Sequence, residues 1–258
     1  VNEKMAFAAY RDRILDSDVI IDDSWAKLGY ALKMEGRFNG PVLAVMHAPV
    51  DTMIRSSPPG IAKPCFVCIS NDQARHFEAV YGLESRVCWN GVDPEVYKPL
   101  EVPRSGRYLF LARFSTIKGP MIAIDACRKT GASLDLVGDK DFTGEQSYYD
   151  QCNRLCDGDR IRMRGPSTRG NTVWWFSQAK AMLHPAKLYR EPFGLAPVES
   201  MMCGAPVLAF DHGAMRETVR HGVSGYLVKT EEEFCEVVRS GKLDNINRQE
   251  CREWALQF

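Results

Sequence analysis

No stretch of the 258 residues approaches the roughly 20 consecutive apolar residues that a membrane-spanning helix needs. Neither charge is in excess. The 33 Lys and Arg balance 33 Asp and Glu, so no global field favours nucleic acid or an anionic lipid surface. The first residues, VNEKMAFAAYRDRILDSD, are charged and amphipathic and lack the apolar centre of a secretory leader. No Walker A segment is present, and no GxGxxG follows a strand, which argues against a P-loop NTPase and an ordinary NAD enzyme. No His pair stands at zinc-finger spacing, and the chain has no low-complexity segment or short repeat. Nine cysteines make an odd, scattered set, read as reduced thiols of a cytoplasmic protein rather than a disulfide framework. The pairs Cys65/Cys68 and Cys152/Cys156 fall on a predicted strand and helix, and buried thiols explain them better than a metal.

What is present fits a soluble globular protein, with 45% hydrophobic and 26% charged residues. The length suits one large domain or two medium ones. Residues 3–15 read as a helix, 19–21 as a strand and 24–36 as a helix with Ser24 as N-cap and Gly36 at its end. Strand 42–46 ends at His47, and a Pro-rich loop runs through Pro58-Pro59-Gly60. Strand 66–70, helix 71–81 and strand 86–89 follow. Asn90-Gly91 and Asp93-Pro94 are breakers, and KPLEVPRSG at 98–106 has a linker's composition. The boundary is therefore placed near 102, with domains at 1–102 and 103–245 and a C-terminal helix at 246–258 that returns toward the first domain.

The second half alternates more regularly. Strands are expected at 108–113, 133–137, 161–164, 181–184, 206–210 and 225–228. Helices are expected from Pro120, over 145–156, 171–179 and 214–221, and from 230 to 239. Alternation of this kind implies right-handed βαβ crossovers and a parallel sheet, and the apolar strands agree because parallel strands are covered on both faces. The expected class is α/β with two Rossmann-like parallel-sheet domains, the N-terminal one shortened. Such halves bind a ligand at the carboxyl ends of their strands. His47, Arg113, Gly138 and His184-Pro185 all stand at predicted strand ends.

The stretch Glu191 to Phe210, EPFGLAPVESMMCGAPVLAF, carries two carboxylates eight residues apart, Glu191 and Glu199. A turn at Phe193-Gly194-Leu195 opens a short helix, with Pro197 in a first turn whose N–H groups lack intrahelical partners. Gly204 ends the helix and 206–210 is a buried strand. Free N–H groups, the helix dipole and acceptor carboxylates suit a polyhydroxylated anion such as a nucleotide sugar. An ordinary strand–loop–helix joint with two solvated glutamates has the same sequence. Arg113 and Lys118 beside Pro120 form either a diphosphate site or two surface cations near a turn. His47 either contacts a sugar hydroxyl or moves a proton, or it is structural. Trp174-Trp175-Phe176 reads first as core packing and second as a stacking platform. Trp25 with Lys27, Lys33 and Arg37 reads as a solvated face before a membrane-facing one.

Taken together, the motifs resemble a retaining glycosyltransferase of family 4, with the GT-B fold. The resemblance covers residue 18 to the C-terminus. It rests on Cys88-Trp-Asn90-Gly91-Val92-Asp93 through Tyr97-Lys98-Pro99, on LFLARFSTIKGP and on LDLVGD. It rests also on Glu191-Pro-Phe193-Gly194-Leu195 through Glu199 with Gly204-Ala-Pro206-Val207, and on HGAMRETVRHGVSGYLV. The resemblance implies a hexose transferred from a UDP- or GDP-sugar to a hydroxyl acceptor, whether saccharide, lipid-linked glycan or small molecule. It implies no metal, no further cofactor and no nucleic acid. Arg113 and Lys118 would neutralise the diphosphate, and Glu191 would meet the sugar. Phe193, Gly194 and Leu195 would offer backbone N–H groups, Glu199 would bind the ribose, and Gly138 would admit the nucleotide. His47 would lie near the reacting sugar, while Ser70-Asn71 resembles a family segment of less defined role. Ala112, Asp139-Lys140 and His212 stand where the family carries glycine, and a Gly-rich N-terminal region of the family has no counterpart here. A same-fold disaccharide phosphorylase or synthase, and a non-catalytic nucleotide-sugar-binding protein, are the alternatives.

Overall fold

A computed structural model describes residues 3–24, 27–48, 50, 65–140 and 146–258. The Pro-rich loop through Pro58-Pro59-Gly60 and Trp25 lie outside the described residues. The chain forms two compact units, Val1–Trp89 and Asn90–Phe258.

The first unit runs α1 (Glu3–Leu15), β1 (Ile20–Asp22), α2 (Leu28–Met34), β2 (Val42–Met46), β3 (Cys65–Cys68), α3 (Asn71–Tyr81) and β4 (Arg86–Val87). Its four strands pair in parallel in the order β1-β2-β3-β4. The core gathers Ala44, Met46, Phe66, Cys68 and Phe77. Phe66 and Phe77 meet at 5.0 Å between centroids, a tilted aromatic pair adding about 0.5–1.5 kcal/mol beyond burial. The helix expected from Ser24 begins later, because Lys27 takes a left-handed φ of 50°. The N-cap is Lys27 rather than Ser24, although the Ser24 Oγ accepts from the Leu28 N–H at 3.0 Å.

The second unit runs β5 (Tyr108–Leu111), α4 (Pro120–Thr130), β6 (Leu134–Val137), α5 (Gln146–Arg154), β7 (Ile161–Gly165), α6 (Arg169–Gln178), β8 (Met182–His184), α7 (Leu195–Met202), β9 (Val207–Phe210), α8 (Met215–Thr218), β10 (Gly225–Val228), α9 (Glu231–Ser240) and α10 (Arg248–Ala255). The sheet order is β10-β9-β8-β5-β6-β7, parallel throughout. The chain winds outward from β5 to β7, then crosses to β8 on the other side of β5 and winds outward again. The reversal lies between β5 and β8, the switch point at which open α/β sheets leave a crevice. β6 and β9 are buried along their whole length, as strands covered on both faces must be. The two-sheet parallel α/β architecture expected from the sequence is present.

Several elements differ from expectation for local reasons. The helix expected over 214–221 stops at Thr218, because Val219 is extended and buried. The aromatic cluster divides: Phe176 is fully buried, whereas Trp174 is exposed and stands edge-on to Trp175. Residues 98–106 have a linker's composition, yet the Leu100 N–H donates to Ser177 Oγ at 2.9 Å and the Ser105 N–H to the Gln178 carbonyl at 2.9 Å. The C-terminal helix belongs to the same unit and packs on α7. Its Arg252 donates to the Tyr97 carbonyl at 2.8 Å and the Pro94 carbonyl at 3.0 Å. The compact second unit therefore begins at Asn90 rather than near 102.

Among the described residues, no helix is long and apolar enough to cross a membrane.

One charge sits inside the second sheet. Asp135, in the middle of β6, is 4% exposed, and its two oxygens accept from Arg107 Nε at 3.0 Å and Arg164 Nε at 2.7 Å. Removing one member of such a set leaves uncompensated charge, at a cost of about 3–5 kcal/mol. Asp135→Ala should therefore lower the urea midpoint by a loss of that size. Asp135→Asn, which keeps two acceptor sites on one oxygen, should lose less.

Candidate functional site

The second unit's switch point gathers the residues of interest. β5 ends at Leu111, and Ala112 and Arg113 continue from it. A 3₁₀ turn, Thr116–Lys118, then leads through Gly119 to Pro120 at the first position of α4. β8 ends at His184, and the loop from Pro185 carries Tyr189 and Glu191 to α7.

Lys118 Nζ donates to Glu191 Oε2 at 2.5 Å. Both side chains are mostly buried, at 16% and 13% exposed. Lys118 Nζ also lies 4.7 Å from the centroid of the Tyr189 ring, a cation–π contact. His184, itself 5% exposed, brings Nε2 to 3.6 Å from the same Glu191 oxygen, beyond hydrogen-bond reach. That nitrogen is buried and has no hydrogen-bond partner among the described residues. The Glu191 backbone is held too, its carbonyl accepting from the Ala214 N–H at 3.0 Å.

Burial alone would raise the Glu191 pKa. The His184 imidazole and the Lys118 ammonium outweigh it and hold the carboxyl down to about 2. Tyr189 moves the other way, pushed up to about 12 by burial and then by the charge of Glu191. A carboxylate held that low is a weak base and weak nucleophile. It suits accepting hydrogen bonds rather than delivering a proton.

Two glycines expected at the site adopt backbone conformations that other residues rarely take. Gly138, just past β6, has φ 152°, and a Cβ there would stand 1.9 Å from the Ala112 carbonyl oxygen. Gly194 is the residue before α7, with φ 85°, and a Cβ there would stand 2.4 Å from Met215 Cε. No side chain caps α7 at Gly194. Phe193 is 2% exposed and packs edge-on against Phe258 at 5.9 Å, so its side chain belongs to the core. Leu195 opens α7 and is exposed, and Glu199 follows on the same helix, half-buried. Lys118 and Glu191 are thus in direct contact, while Arg113 stands exposed at its strand end.

His47 lies in the first unit, at the end of β2. Its Nε2 pairs with Asp23 Oδ1, from the residue after β1. The backbone on either side of His47 is held by Gln73, whose Nε2 donates to the Met46 and Ala48 carbonyls, both at 2.9 Å. Gln73 Oε1 accepts from the Ile69 N–H at 2.8 Å. Ser70 caps α3, its Oγ accepting from the Gln73 N–H at 3.0 Å. Among the described residues no group of three or more His, Cys, Asp or Glu side chains could hold a metal ion.

Sequence reasoning missed three parts of this arrangement. His184 was legible as a strand-end residue but carried no partner in the sequence. Tyr189 and Asp23 had no spacing signal, since each meets its partner only after the loops fold.

The Glu191 pair also fixes a pH dependence. Its folded pKa of about 2 lies below the ordinary 4.5, so the pair's contribution is complete above pH 4.5. It is lost as pH falls through the folded value. The difference corresponds to about 3 kcal/mol. Between pH 5 and 2.5 the melting temperature of Glu191→Gln should therefore fall less than that of the wild type. Parallel curves would show that the pair contributes nothing.

Comparison with known proteins gives this arrangement its context. D-inositol 3-phosphate glycosyltransferase 1 of Catenulispora acidiphila is 32% identical over 193 residues, covering 65% of this chain and 45% of that protein. The corresponding enzyme of Nocardiopsis dassonvillei is 29% identical over 185 residues, covering 62% and 43%. The chain thus spans less than half the length of these two relatives. Among solved structures, Anabaena HepE in complex with UDP-glucose superposes with a TM-score of 0.82 at 21% identity, over 97% of this chain and 77% of that one. The sucrose-phosphate synthase of Thermosynechococcus elongatus gives 0.79 at 19%, over 98% and 72%. These likenesses show the GT-B type of fold. Residues 98–258 match the family described as glycosyl transferases group 1, and the chain belongs to that family.

Proposed function

We propose that the protein is a retaining glycosyltransferase that moves a hexose from a UDP- or GDP-sugar to a hydroxyl acceptor. The observation that carries this reading is the buried Lys118–Glu191 pair at the switch point between β5 and β8, beside the uncapped start of α7. The diphosphate would lie against Arg113, Lys118 and the first N–H groups of α7, where cations and a helix N-terminus both favour negative charge. Glu191 would accept from the sugar's hydroxyls, Glu199 from the ribose, and Gly138 would let the nucleotide approach the end of β6. HepE binds UDP-glucose, which supports a UDP-sugar as donor. The inositol-phosphate glycosyltransferase relatives support a small hydroxylated acceptor, with saccharides and lipid-linked glycans as the wider class.

In this scheme the bond from the anomeric carbon to the phosphate oxygen breaks as the bond to the acceptor oxygen forms on the same face. The acceptor's proton passes to the departing phosphate. Negative charge grows on the leaving oxygens, where Arg113, Lys118 and the α7 amides would stabilise it. No carboxylate nucleophile is required, in contrast to the two-carboxylate glycosidase route. A Glu191 pKa of about 2 agrees with an acceptor of hydrogen bonds. For His47, paired with Asp23 in the first unit, only the family resemblance implies a place near the donor sugar and acceptor, and no metal is assigned a role.

Nucleoside diphosphate release from UDP- and GDP-hexoses tests the reading, with thermal shift by UDP and GDP alongside. Saturating UDP or GDP at about 100 times its Kd should stabilise the native state by about 2.7 kcal/mol. Lys118→Ala and Glu191→Ala should each reduce turnover by roughly 10²–10³-fold with unchanged circular dichroism. Normal turnover in both variants would sink the assignment.

A further inference from the structure

Lys118 has two tasks that compete. It neutralises buried Glu191 at 2.5 Å. To bind a diphosphate it must turn its ammonium toward phosphate oxygens. Glu191, 13% exposed, would then be left as a buried carboxylate without its counter-charge, an arrangement that disfavours ligand entry.

His184 stands where that cost can be relieved. Its Nε2 is 3.6 Å from Glu191 Oε2, the same oxygen that Lys118 holds. It is buried with no hydrogen-bond partner, which is itself unfavourable. A shift of less than about 1 Å brings the two atoms within hydrogen-bond distance. One new bond then satisfies both the imidazole N–H and the carboxylate that Lys118 leaves. The neutral Nε2–H tautomer is a sufficient donor, so no proton need be gained.

We propose that His184 is a positioning residue that takes over Glu191 Oε2 when Lys118 turns to the diphosphate of a bound nucleotide. The proposal rests on the nucleotide-sugar reading of the site. His184 touches neither ligand nor reacting atoms. It acts through Glu191 and sets the cost of recruiting Lys118.

The test is a double-mutant cycle on UDP and GDP binding, read by calorimetry. His184→Val should weaken whichever nucleoside diphosphate the wild type binds by about tenfold, the scale of one hydrogen bond to a buried charged group. It should leave the nucleoside monophosphate nearly unaffected. His184→Gln, whose amide reaches a similar position, should restore most of the loss. In a Glu191→Gln background Lys118 has no carboxylate to leave, so His184→Val should then have no further effect. Equal losses in both backgrounds, or equal losses for mono- and diphosphate, would overturn the proposal while leaving the nucleotide site intact. A wild type that binds neither UDP nor GDP would overturn the functional reading and this inference with it. Should His184→Val fail to fold, ¹⁵N-histidine spectra of the wild type decide. The Nε2 resonance of His184 should shift to a hydrogen-bonded position on saturation with the bound diphosphate, and no change on saturation would refute the exchange.

Discussion

Parallel strand pairing is the constraint from which the rest follows. Each parallel step needs a crossover, and strands that all run the same way bring their carboxyl ends to one edge of the sheet. In the second unit the winding reverses between β5 and β8. The residues after these two strands, Arg113 to Lys118 on one side and His184 to Glu191 on the other, therefore converge although about seventy positions separate them in sequence. The core serves this arrangement. The fully buried strands β6 and β9 fix the height of the strand ends, and Gly138 lets β6 turn directly under the Ala112 carbonyl.

The charges within the second unit divide by environment. Asp135 is enclosed by Arg107 and Arg164 on β6, away from the strand ends, and serves the sheet. Glu191 is similarly buried but is held by the Lys118 ammonium, with the His184 imidazole 3.6 Å from the same oxygen. The first set is saturated with donors. The second is held in one state while still having partners to exchange. Buried ion pairs contribute little to stability relative to apolar packing. One at a switch point is better explained by what it does when a charged ligand competes for its cation.

Much of this was legible in the sequence because it depends on local pattern. Strand–helix alternation, Pro120 after Gly119, and the Phe193-Gly194-Leu195 turn before α7 are written in consecutive residues. Glu191 and Lys118 were recognisable as charged residues beside helix starts, yet their contact was not, because it requires the β5–β8 reversal. His184 beside Glu191 escaped notice because both lie past the reversal, and Asp23 beside His47 because their contact needs β1 and β2 to pair in the first sheet. Composition misled at 98–106, where proline and charge suggest a free linker. The backbone groups of Leu100 and Ser105 instead bond to the end of α6. Propensity also misled at Ser24, where a left-handed Lys27 delays the helix and takes the N-cap position.

Gln73 has a consequence for the first unit. One buried amide grips the carbonyls before and after His47 and the N–H of Ile69, so two strand ends and a helix start share a single side chain. The peptide groups flanking the histidine cannot rotate without breaking that grip. The imidazole's remaining freedom is confined to its own two torsions, one of which the Asp23 carboxylate restrains. His47 is thereby less a residue on a loop than the tip of a clamped lever, and its aim is set by an amide more than twenty positions away in the chain.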